Sequence, residues 1–506
     1  MLEKKPRILA ELRPALEGFA GIPQETRLLF SAFRDFEDFQ TIGLINQYRQ
    51  KLSHGIMKNK SFNDKDIHKK INLISRHIIS HKEEISLKGF WKHLFRNYID
   101  SRDYGPIKNR AIFGIPEKIS YLDIDGFEDF IWSTLFSKSV SLSEYDKIVT
   151  SIYAVITSGW QHMHRCGIKH NPILRKQEKY PKLDTRDFDF FVTQTPFPGV
   201  LSRRTKMVIR YHDAIPIYLP HTIPDTKFHQ RTHYMALKDN VKRKSIFVCT
   251  TQAVRNDLCR IFPSAEEKST VIHDIVSSQY YEQEANVERI CNIIKSKIEQ
   301  STQPNFLNNT EKVRFYDRHV RGPKFNFLLM VSTIEPRKNH GKLIGAWEIM
   351  REKLDPDLKL VIVGKPGWGN DKVLNAMQPW QEKGQLFNLS AVPSPDLRVL
   401  YNSAKAVVCP SISEGFDLSG IEAMLSGGVV AASDIPVHRE VYGDCSEYFN
   451  PYSVMQCANA IEKIIHPDNQ INREALKQKG LKHGRNYLEE NIAPKWHEFF
   501  KSNINQ

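Results

Sequence analysis

From Ala406 to Leu425 the chain reads strand, loop, helix, and two glutamates sit in the passage between them. The apolar run Ala406 to Cys409 has the composition of a buried strand, and Gly420 to Leu425 starts a helix whose expected N-cap is Ser419. Glu414 then falls in the loop and Glu422 in the first helical turn. In an open parallel α/β sheet such a loop lies at the carboxyl edge, where ligands bind, and the free N–H groups of a helix start favour an anion. An anionic ligand flanked by two acids is an unusual thing to build.

Two readings of Glu422 stay open on these residues. Ser419-x-x-Glu422 is a capping box, which would satisfy the glutamate with no ligand; alternatively Glu422 faces a bound molecule. Glu414, followed by Gly415 and Phe416, has no structural partner of that kind and is a candidate to face a ligand.

The same alternation extends around this unit. Phe325 to Val331 reads as a strand, Gly341 to Leu354 as a helix with Leu343, Trp347, Met350 and Leu354 on one face, and Leu358 to Val363 as another strand. Gly364 to Gly369 is a tight loop, Asp396 to Ser403 and Val454 to Ile465 are helices, and Val429 to Ala432 is a strand. The expectation is a doubly wound βα domain over 325–485. Asn486 to Lys501 follows as an aromatic-rich helix beyond the sheet, which must pack on something else.

At 506 residues the chain has room for two large α/β domains and an insertion. Phe188 to Val192, Met207 to Tyr211, Ser245 to Cys249 and Ser269 to Ile272 are short β-rich runs, so a first parallel sheet is expected within residues 1–300. Thr251 is placed to cap a helix from Ala253 to Phe262. Residues 1 to about 50 show a short helix, Arg27 to Phe33, after a loop carrying Gly18, Gly21 and Pro23. The stretch from about 50 to 180 reads as a basic helical insertion, and 301–324 as a polar linker.

Charge narrows the partners without naming them. The formal net charge is +14, pointing to nucleic acid, an anionic membrane face or phosphorylated small molecules. Between Lys51 and Arg96 there are eleven Lys or Arg against four Asp or Glu, and Ser86 to Tyr98 interleaves aromatic residues with cations. Such a segment can lie on an anionic bilayer or pack as a solvated hairpin. The seven scattered cysteines contain no C-x-x-C pair, which fits a reducing compartment without disulfides or a zinc site. No run approaches the roughly 18 apolar residues of a membrane span. The expectation is a cytoplasmic protein, with contact to the inner face of the membrane as an option that charge leaves open.

Individual polar residues stand out at element ends. R-Y-H-D-A-I-P places His212 and Asp213 just past a strand. His162 and His164, in Q-H-M-H, lack a recognisable third ligand for a metal. The D-x-D patterns at Asp123–Asp125 and Asp187–Asp189 are no more than composition supplies. Between the first strand and helix of the second domain, S-T-I-E-P-R-K-N-H sets Arg337 and Lys338 where a phosphate would meet a helix start, and a guanidinium with an ammonium suits a diphosphate.

Taken with E-G-F-D-L-S-G-I-E-A-M and S-D-I-P-V-H-R-E-V-Y-G-D, these residues resemble the retaining glycosyltransferases of the GT-B fold that include bacterial mannosyl-, glucosyl- and rhamnosyltransferases of polysaccharide and lipopolysaccharide assembly. The resemblance covers about 325–465 and, less closely, 185–275. It implies two Rossmann-like domains facing a cleft, with the last helix, 486–506, crossing back to the first domain. It further implies that Arg337 and Lys338 hold the donor diphosphate, assisted by backbone N–H groups of Leu418, Ser419 and Gly420. Glu414 would contact the donor sugar, Glu422 the nucleotide ribose, and His212 the transferred sugar.

The implied activity is metal-independent transfer of a hexose, with no cofactor beyond the nucleotide-sugar donor, to a glycan or lipid-linked glycan of a bacterial surface polysaccharide. T-I-E-P-R-K-N inclines the donor toward GDP-mannose, with UDP- or dTDP-sugars as alternatives. Asp417, Ser419 and Ser332 stand where the family usually has glycine or proline. The competing expectation is a degenerate scaffold acting as a basic membrane- or nucleic-acid-binding protein, which would have no need of the full set His212, Arg337, Lys338, Glu414 and Glu422.

Overall fold

The computed structural model describes residues 5–16, 18, 21–47, 90–168, 179–298, 304–322 and 325–504, together with isolated positions between 68 and 75 and the pairs 170–171 and 176–177. The basic stretch that begins at Lys51 falls largely outside the described residues; from position 90 the helix Phe90–Phe113 is defined.

Two parallel sheets organise the molecule. The first contains β1 (Arg7–Glu11), β2 (Gln40–Ile45), β3 (Ser120–Leu122), β4 (Ile152–Val155), β5 (Phe190–Thr193), β6 (Lys206–Tyr211), β7 (Ile246–Cys249) and β8 (Ser269–Val271). Its order is β8-β7-β6-β5-β1-β2-β4-β3, parallel except for the antiparallel edge strand β3. The second contains β9 (Phe327–Val331), β10 (Lys359–Val363), β11 (Leu386–Leu389), β12 (Ala406–Cys409), β13 (Val430–Ser433) and β14 (Ser446–Phe449). Its order is β11-β10-β9-β12-β13-β14, all parallel. Every residue of β5, β12 and β13 is buried, because helices cover both faces of each sheet, and that is why these strands read as unbroken apolar runs.

Each sheet reverses its order once, between β1 and β5 and between β9 and β12. Those reversals open crevices at the carboxyl ends of the strands. The loops that follow β1, β5, β6, β9, β10, β11 and β12 all reach one cleft.

The first domain corrects the sequence expectation in two places. Residues 1–50 hold the two central strands β1 and β2, and the 50–180 stretch contributes β3 and β4 to the sheet, so it is not a helical insertion throughout. These strands are short, and β1 ends in a charged residue. Glu11 at the end of β1 is buried against Arg13, Thr193 and the Gln194 N–H, a placement that hydrophobic periodicity does not signal.

The expected linker is also corrected. Val287–Ile298 is an amphipathic helix whose Ile290, Ile294 and Ile298 bury against Phe327, Leu329 and Phe387 of the second sheet. Asn309–His319 is a second helix, followed by the buried Val320. The chain therefore leaves the first domain near Val276, well before 301. Val276 N donates to Tyr487 O at 2.8 Å, so the outgoing and returning crossings lie side by side. The final helix, Glu489–Ile504, packs Trp496 and Phe500 onto Phe33 and Phe190 of the first domain, with ring centroids 5.1–5.3 Å apart.

Candidate active site

The cleft between the domains has a volume of about 1680 Å³. Its second-domain wall begins at the turn after β9, where Pro336–Lys338 forms one 3₁₀ turn and Asn339 adopts φ 63°. Asn339 Nδ2 donates to Pro410 O at 2.9 Å and to Pro451 O at 2.8 Å, which fixes the turn against the loop after β12. Arg337 and Lys338 are thereby presented to that loop.

Glu414 lies between the two cations. Arg337 approaches Glu414 Oε2 at 2.5 Å and Lys338 approaches Oε1 at 2.5 Å, while Arg337 Nε also meets Glu335 Oε1 at 2.7 Å. Burial opposes ionisation of Glu414, but the two cations outweigh it and hold the carboxyl below its ordinary pKa. The same carboxylates more than offset the desolvation of Arg337 and raise its pKa. Glu414 therefore aims two donors as a fixed pair. Its own oxygens are occupied, so it serves poorly as a free nucleophile.

Gly415 carries this loop onto the first domain. A Cβ at this position would stand 2.0 Å from His212 O, and Thr250 Oγ1 donates to Gly415 O at 2.9 Å. His212 Nε2 lies 3.1 Å from Gln194 Oε1 at the end of β5. Burial, then the Arg210 charge, pushes His212 well below its ordinary pKa, so the imidazole is neutral at physiological pH. Asp213 accepts from Ile215 N at 3.0 Å; burial raises its pKa, while the Arg337 charge opposes that rise.

The helix after β12 corrects the expected cap. It spans Leu418–Leu425, and its N-cap is Asp417 in the left-handed region at φ 66°. Ser419 lies inside the first turn and donates to Asp417 Oδ1 at 2.7 Å, so no Ser419–Glu422 capping box forms. Asp417 Oδ2 meets His438 Nε2 at 3.2 Å, and Tyr442 OH donates to Asp417 O at 3.0 Å. Burial opposes ionisation of Asp417, but Lys338 ahead of His438 and Ser419 holds it far below the usual carboxylate range. The N–H groups of Leu418, Ser419 and Gly420 open the helix, where no intrahelical acceptor exists for them.

Glu422 instead faces the first domain. Gln24 Nε2 donates to its Oε1 at 2.9 Å, and Tyr401 OH donates to its Oε2 at 3.1 Å. Burial pushes its pKa up to about 7. Gln24 sits in the first turn of the helix Ile22–Arg34, beside Glu25, which meets the buried Arg210 at 3.0 Å. Arg27 of the same helix donates to Ala15 O at 2.8 Å and Gly18 O at 2.7 Å, drawing the glycine-bearing N-terminal loop onto the cleft wall.

His212, Arg337, Lys338, Glu414, Leu418, Ser419 and Glu422 all line the one cleft, and Gly420 lies in the same helix, packed on Tyr442. Sequence reasoning missed Gln24, Glu335, Tyr401 and the capping role of Asp417. Glu335 had a local signal, in T-I-E-P-R-K, and the cap at Asp417 is set by its own backbone conformation and the hydrogen bond from Ser419; Gln24 and Tyr401 depend on contacts across 398 and 21 positions. Both D-x-D patterns make structural contacts, Asp189 accepting from Arg7 N across 182 positions at 2.7 Å and Asp123 from the nearby Asp125 N at 3.2 Å.

Two facing Rossmann-like sheets with a cationic turn and a strand–loop–helix unit at their common cleft define the GT-B architecture. The fold agrees with a sucrose-phosphate synthase from Thermosynechococcus elongatus, at TM-score 0.55 and 13% identity over 99% of both chains. TarM superposes at TM-score 0.53 and 15% identity, over 98% of this chain and 99% of that one. Residues 314–483 match the family described as glycosyl transferases group 1, and the chain carries a domain of that family.

Curated relatives include O-antigen chain mannosyltransferase B of Escherichia coli, 24% identical over 61% of this chain and 73% of that one. O-antigen chain mannosyltransferase RfbU of Salmonella typhimurium is 26% identical over 52% of this chain and 62% of its own length. Serotype-specific mannosyltransferase WbdA of Escherichia coli is 35% identical over 27% of this chain, a segment that spans 17% of that relative. Among the described residues no helix is long and apolar enough to cross a membrane.

Proposed function

We propose that the protein transfers a hexosyl group, mannose from GDP-mannose first among the candidates, onto a hydroxyl of a glycan or lipid-linked glycan in bacterial surface polysaccharide synthesis. The observation that carries this is the pair Arg337 and Lys338, clamped by Glu414 on one side of the cleft while Gly415 of the same loop packs on the His212 carbonyl of the other domain. The relatives named as O-antigen mannosyltransferases support the mannosyl choice, and a UDP- or dTDP-sugar is its alternative.

In this reaction the acceptor oxygen bonds to the anomeric carbon as the bond from that carbon to the donor phosphate oxygen breaks. The acceptor proton passes to the departing diphosphate. Negative charge grows on the leaving group, and Arg337, Lys338 and the helix start at Leu418 are aimed at it. Those fixed donors supply the charge that a metal would otherwise bring, so the reaction proceeds without one.

Retention by a same-face displacement fits better than a covalent glycosyl-enzyme. Both oxygens of Glu414 face cations, and both oxygens of Glu422 accept hydrogen bonds, which leaves neither as a free nucleophile. Glu422 takes the ribose hydroxyls, and the neutral His212 meets the transferred sugar. The basic stretch between 51 and 96 makes contact with an anionic membrane face part of the same proposal.

Calorimetry of GDP-, UDP- and dTDP-sugars without added metal tests the donor site. One nucleotide should bind tightly and weaken at least tenfold in Glu422→Ala. Absence of binding by all three would remove the proposal, and product anomers read by NMR decide between retention and inversion.

A further inference from the structure

The first-domain half of the cleft holds a second set of side chains that the donor chemistry leaves unused. Two helices supply it, each through an i, i+4 pair on one face. Trp160–Ile168 presents Trp160 and His164, and Thr226–Lys242 presents His229 and His233. Arg231 NH2 donates to Ile168 O at 2.8 Å and ties the second helix to the end of the first. Arg13, from the loop after β1, lies over the Trp160 ring at 4.1 Å and closes the inner end.

The charge of this lobe is already balanced. Arg13 is paired with the buried Glu11 at 2.9 Å. Burial, followed by Arg13 and the other two histidines, sets His164 well below its ordinary pKa, and burial lowers His233 to about 3. The protein walls around His229 lower it as well. Asp213, which accepts from Ile215 N, and Asp225 at the exposed rim both oppose the lowering of His229. No set of three His, Cys, Asp or Glu among the described residues is arranged for a metal.

Among the described residues lining this half of the cleft, Nδ1 of His164 and Oγ1 of Thr195 are buried without a hydrogen-bond partner. His164 is only 8% exposed, and its Nδ1 makes no hydrogen bond. A buried polar atom left in that state is destabilising unless something in the cleft satisfies it. The His162 of the same Q-H-M-H run is buried away from the cleft lining, so the two histidines have separate roles.

The geometry points to an acceptor subsite for a neutral sugar ring, formed by Trp160, His164, His229 and His233, so that the protein glycosylates an uncharged glycan terminus and not a sugar phosphate or a lipid phosphate. A neutral imidazole offers one donor and one acceptor, which matches a hydroxyl, whereas a phosphate brings only acceptors. Trp160, 5% exposed with Arg13 over its ring, backs the histidines and gives the inner end of the lobe an apolar edge. Among the described residues that form this lobe, Arg13 is already paired with Glu11, so the cost of desolvating a phosphate would go largely uncompensated. A carrier phosphate would lie outside the lobe, beyond the terminal sugar. This assignment rests on the transferase reading above.

The test uses the full chain and free methyl α-glycosides of mannose, glucose, galactose and rhamnose, with mannose 6-phosphate as the charged comparison. Binding is followed by saturation-transfer NMR without nucleotide. At least one neutral glycoside should bind, and its Kd should rise at least tenfold in both His229→Ala and His233→Gln, while nucleotide affinity by calorimetry stays within twofold. His229 is exposed, so its replacement spares the fold.

Tighter binding of mannose 6-phosphate than of every neutral glycoside overturns the assignment. So does unchanged neutral-sugar binding in both variants, or no binding by any neutral glycoside. Loss of nucleotide binding in the wild type would instead strike the transferase reading, and the two failures are separate measurements.

Discussion

Gln24 and Glu422 belong to different domains, and the Gln24 amide donates to Glu422 Oε1 at 2.9 Å across the cleft. The contact replaces water at a carboxyl that has lost most of its solvent, and it ties the start of the helix Ile22–Arg34 to the second turn of Leu418–Leu425. Among the described residues, the groups that hold this glutamate are three neutral hydroxyl or amide donors. Its pKa of about 7 follows from burial that those hydrogen bonds from Gln24, Tyr401 and Tyr280 only partly counter.

That shift fixes a pH dependence. Between the ordinary value of 4.5 and about 7, folded Glu422 keeps its proton while the unfolded carboxyl has lost it, so the folded state binds more protons. Stability from this group is therefore greatest below 4.5 and declines as pH rises through the window, by on the order of 3 kcal/mol at most. Thermal melts at pH 5, 6, 7 and 8 should show this decline, and Glu422→Gln should lack its share of it. Parallel pH profiles for the two proteins would mean that Glu422 titrates normally.

Gly415→Ala sets a methyl group 2.0 Å from the His212 carbonyl carbon's oxygen, a backbone atom that cannot rotate away. Either the loop or the domain contact must shift, at a cost of about 1–3 kcal/mol. Because the loop also carries Glu414, activity should fall by more than tenfold even where the variant remains folded. An active Gly415→Ala with an unchanged melting temperature would show that the two domains do not work in this contact.

Arg337 meets Glu414 and Glu335 through separate nitrogens, whereas Lys338 offers one ammonium. Arg337→Lys therefore keeps the charge and loses the fork. Turnover should drop about 10²–10³-fold in Arg337→Ala and Lys338→Ala if both stabilise the departing diphosphate. Arg337→Lys should recover only part of the loss, and steady-state kinetics with nucleotide inhibition will separate weaker donor binding from slower transfer.

Asp417 occupies a left-handed position where a side chain costs about 1 kcal/mol or more. Its carboxylate offsets this through Ser419 and His438, each a hydrogen bond to a charged group worth roughly 1.5–3 kcal/mol. Asp417→Gly relieves the backbone but strands His438, so a net loss of about 2 kcal/mol in urea unfolding is expected. Asp417→Asn retains the backbone preference and one acceptor and should lose less. A glycine variant more stable than the parent would contradict this balance.

Four strands of the second sheet, β9, β10, β12 and β13, were legible because they are largely buried apolar runs, and its helices keep a clean period, as in His340–Lys353 with Leu343, Trp347 and Met350 inside; β11, which carries Asn388, and β14, which carries Ser446 and Glu447, were not read as strands. The first sheet was half legible. β1 and β2 are only five and six residues long, and β1 ends in a carboxylate whose partner lies far along the chain: Glu11 accepts from Thr193, 182 positions away. The same distinction runs through the cleft. Arg337, Lys338 and Glu414 announce themselves by motif, while Gln24 becomes visible only when the helix that holds it is folded against Glu422. The Ser419 cap failed for a local reason: Asp417 takes the left-handed conformation that starts the helix two positions earlier than a cap at Ser419 would.

The last helix offers a test of how the two domains are fastened. Trp496 is fully buried, with Phe33 at 5.3 Å and Phe500 at 5.8 Å, and the Arg210 guanidinium lies 5.5 Å from its ring. Arg210 in turn holds Glu25 and Asp274, so Trp496 backs the network beneath the Gln24 contact. Trp496→Ala removes an aromatic of this size from a packed site and should cost about 3–5 kcal/mol. Since the helix reaches the first domain from the chain's return crossing at Leu488, the damage should extend to the cleft. Hydrogen exchange should quicken in Ile22–Arg34 as well as in Glu489–Ile504, and nucleotide affinity should fall with it. Faster exchange confined to the final helix, with nucleotide binding intact, would show that the helix stabilises the first domain without supporting the site.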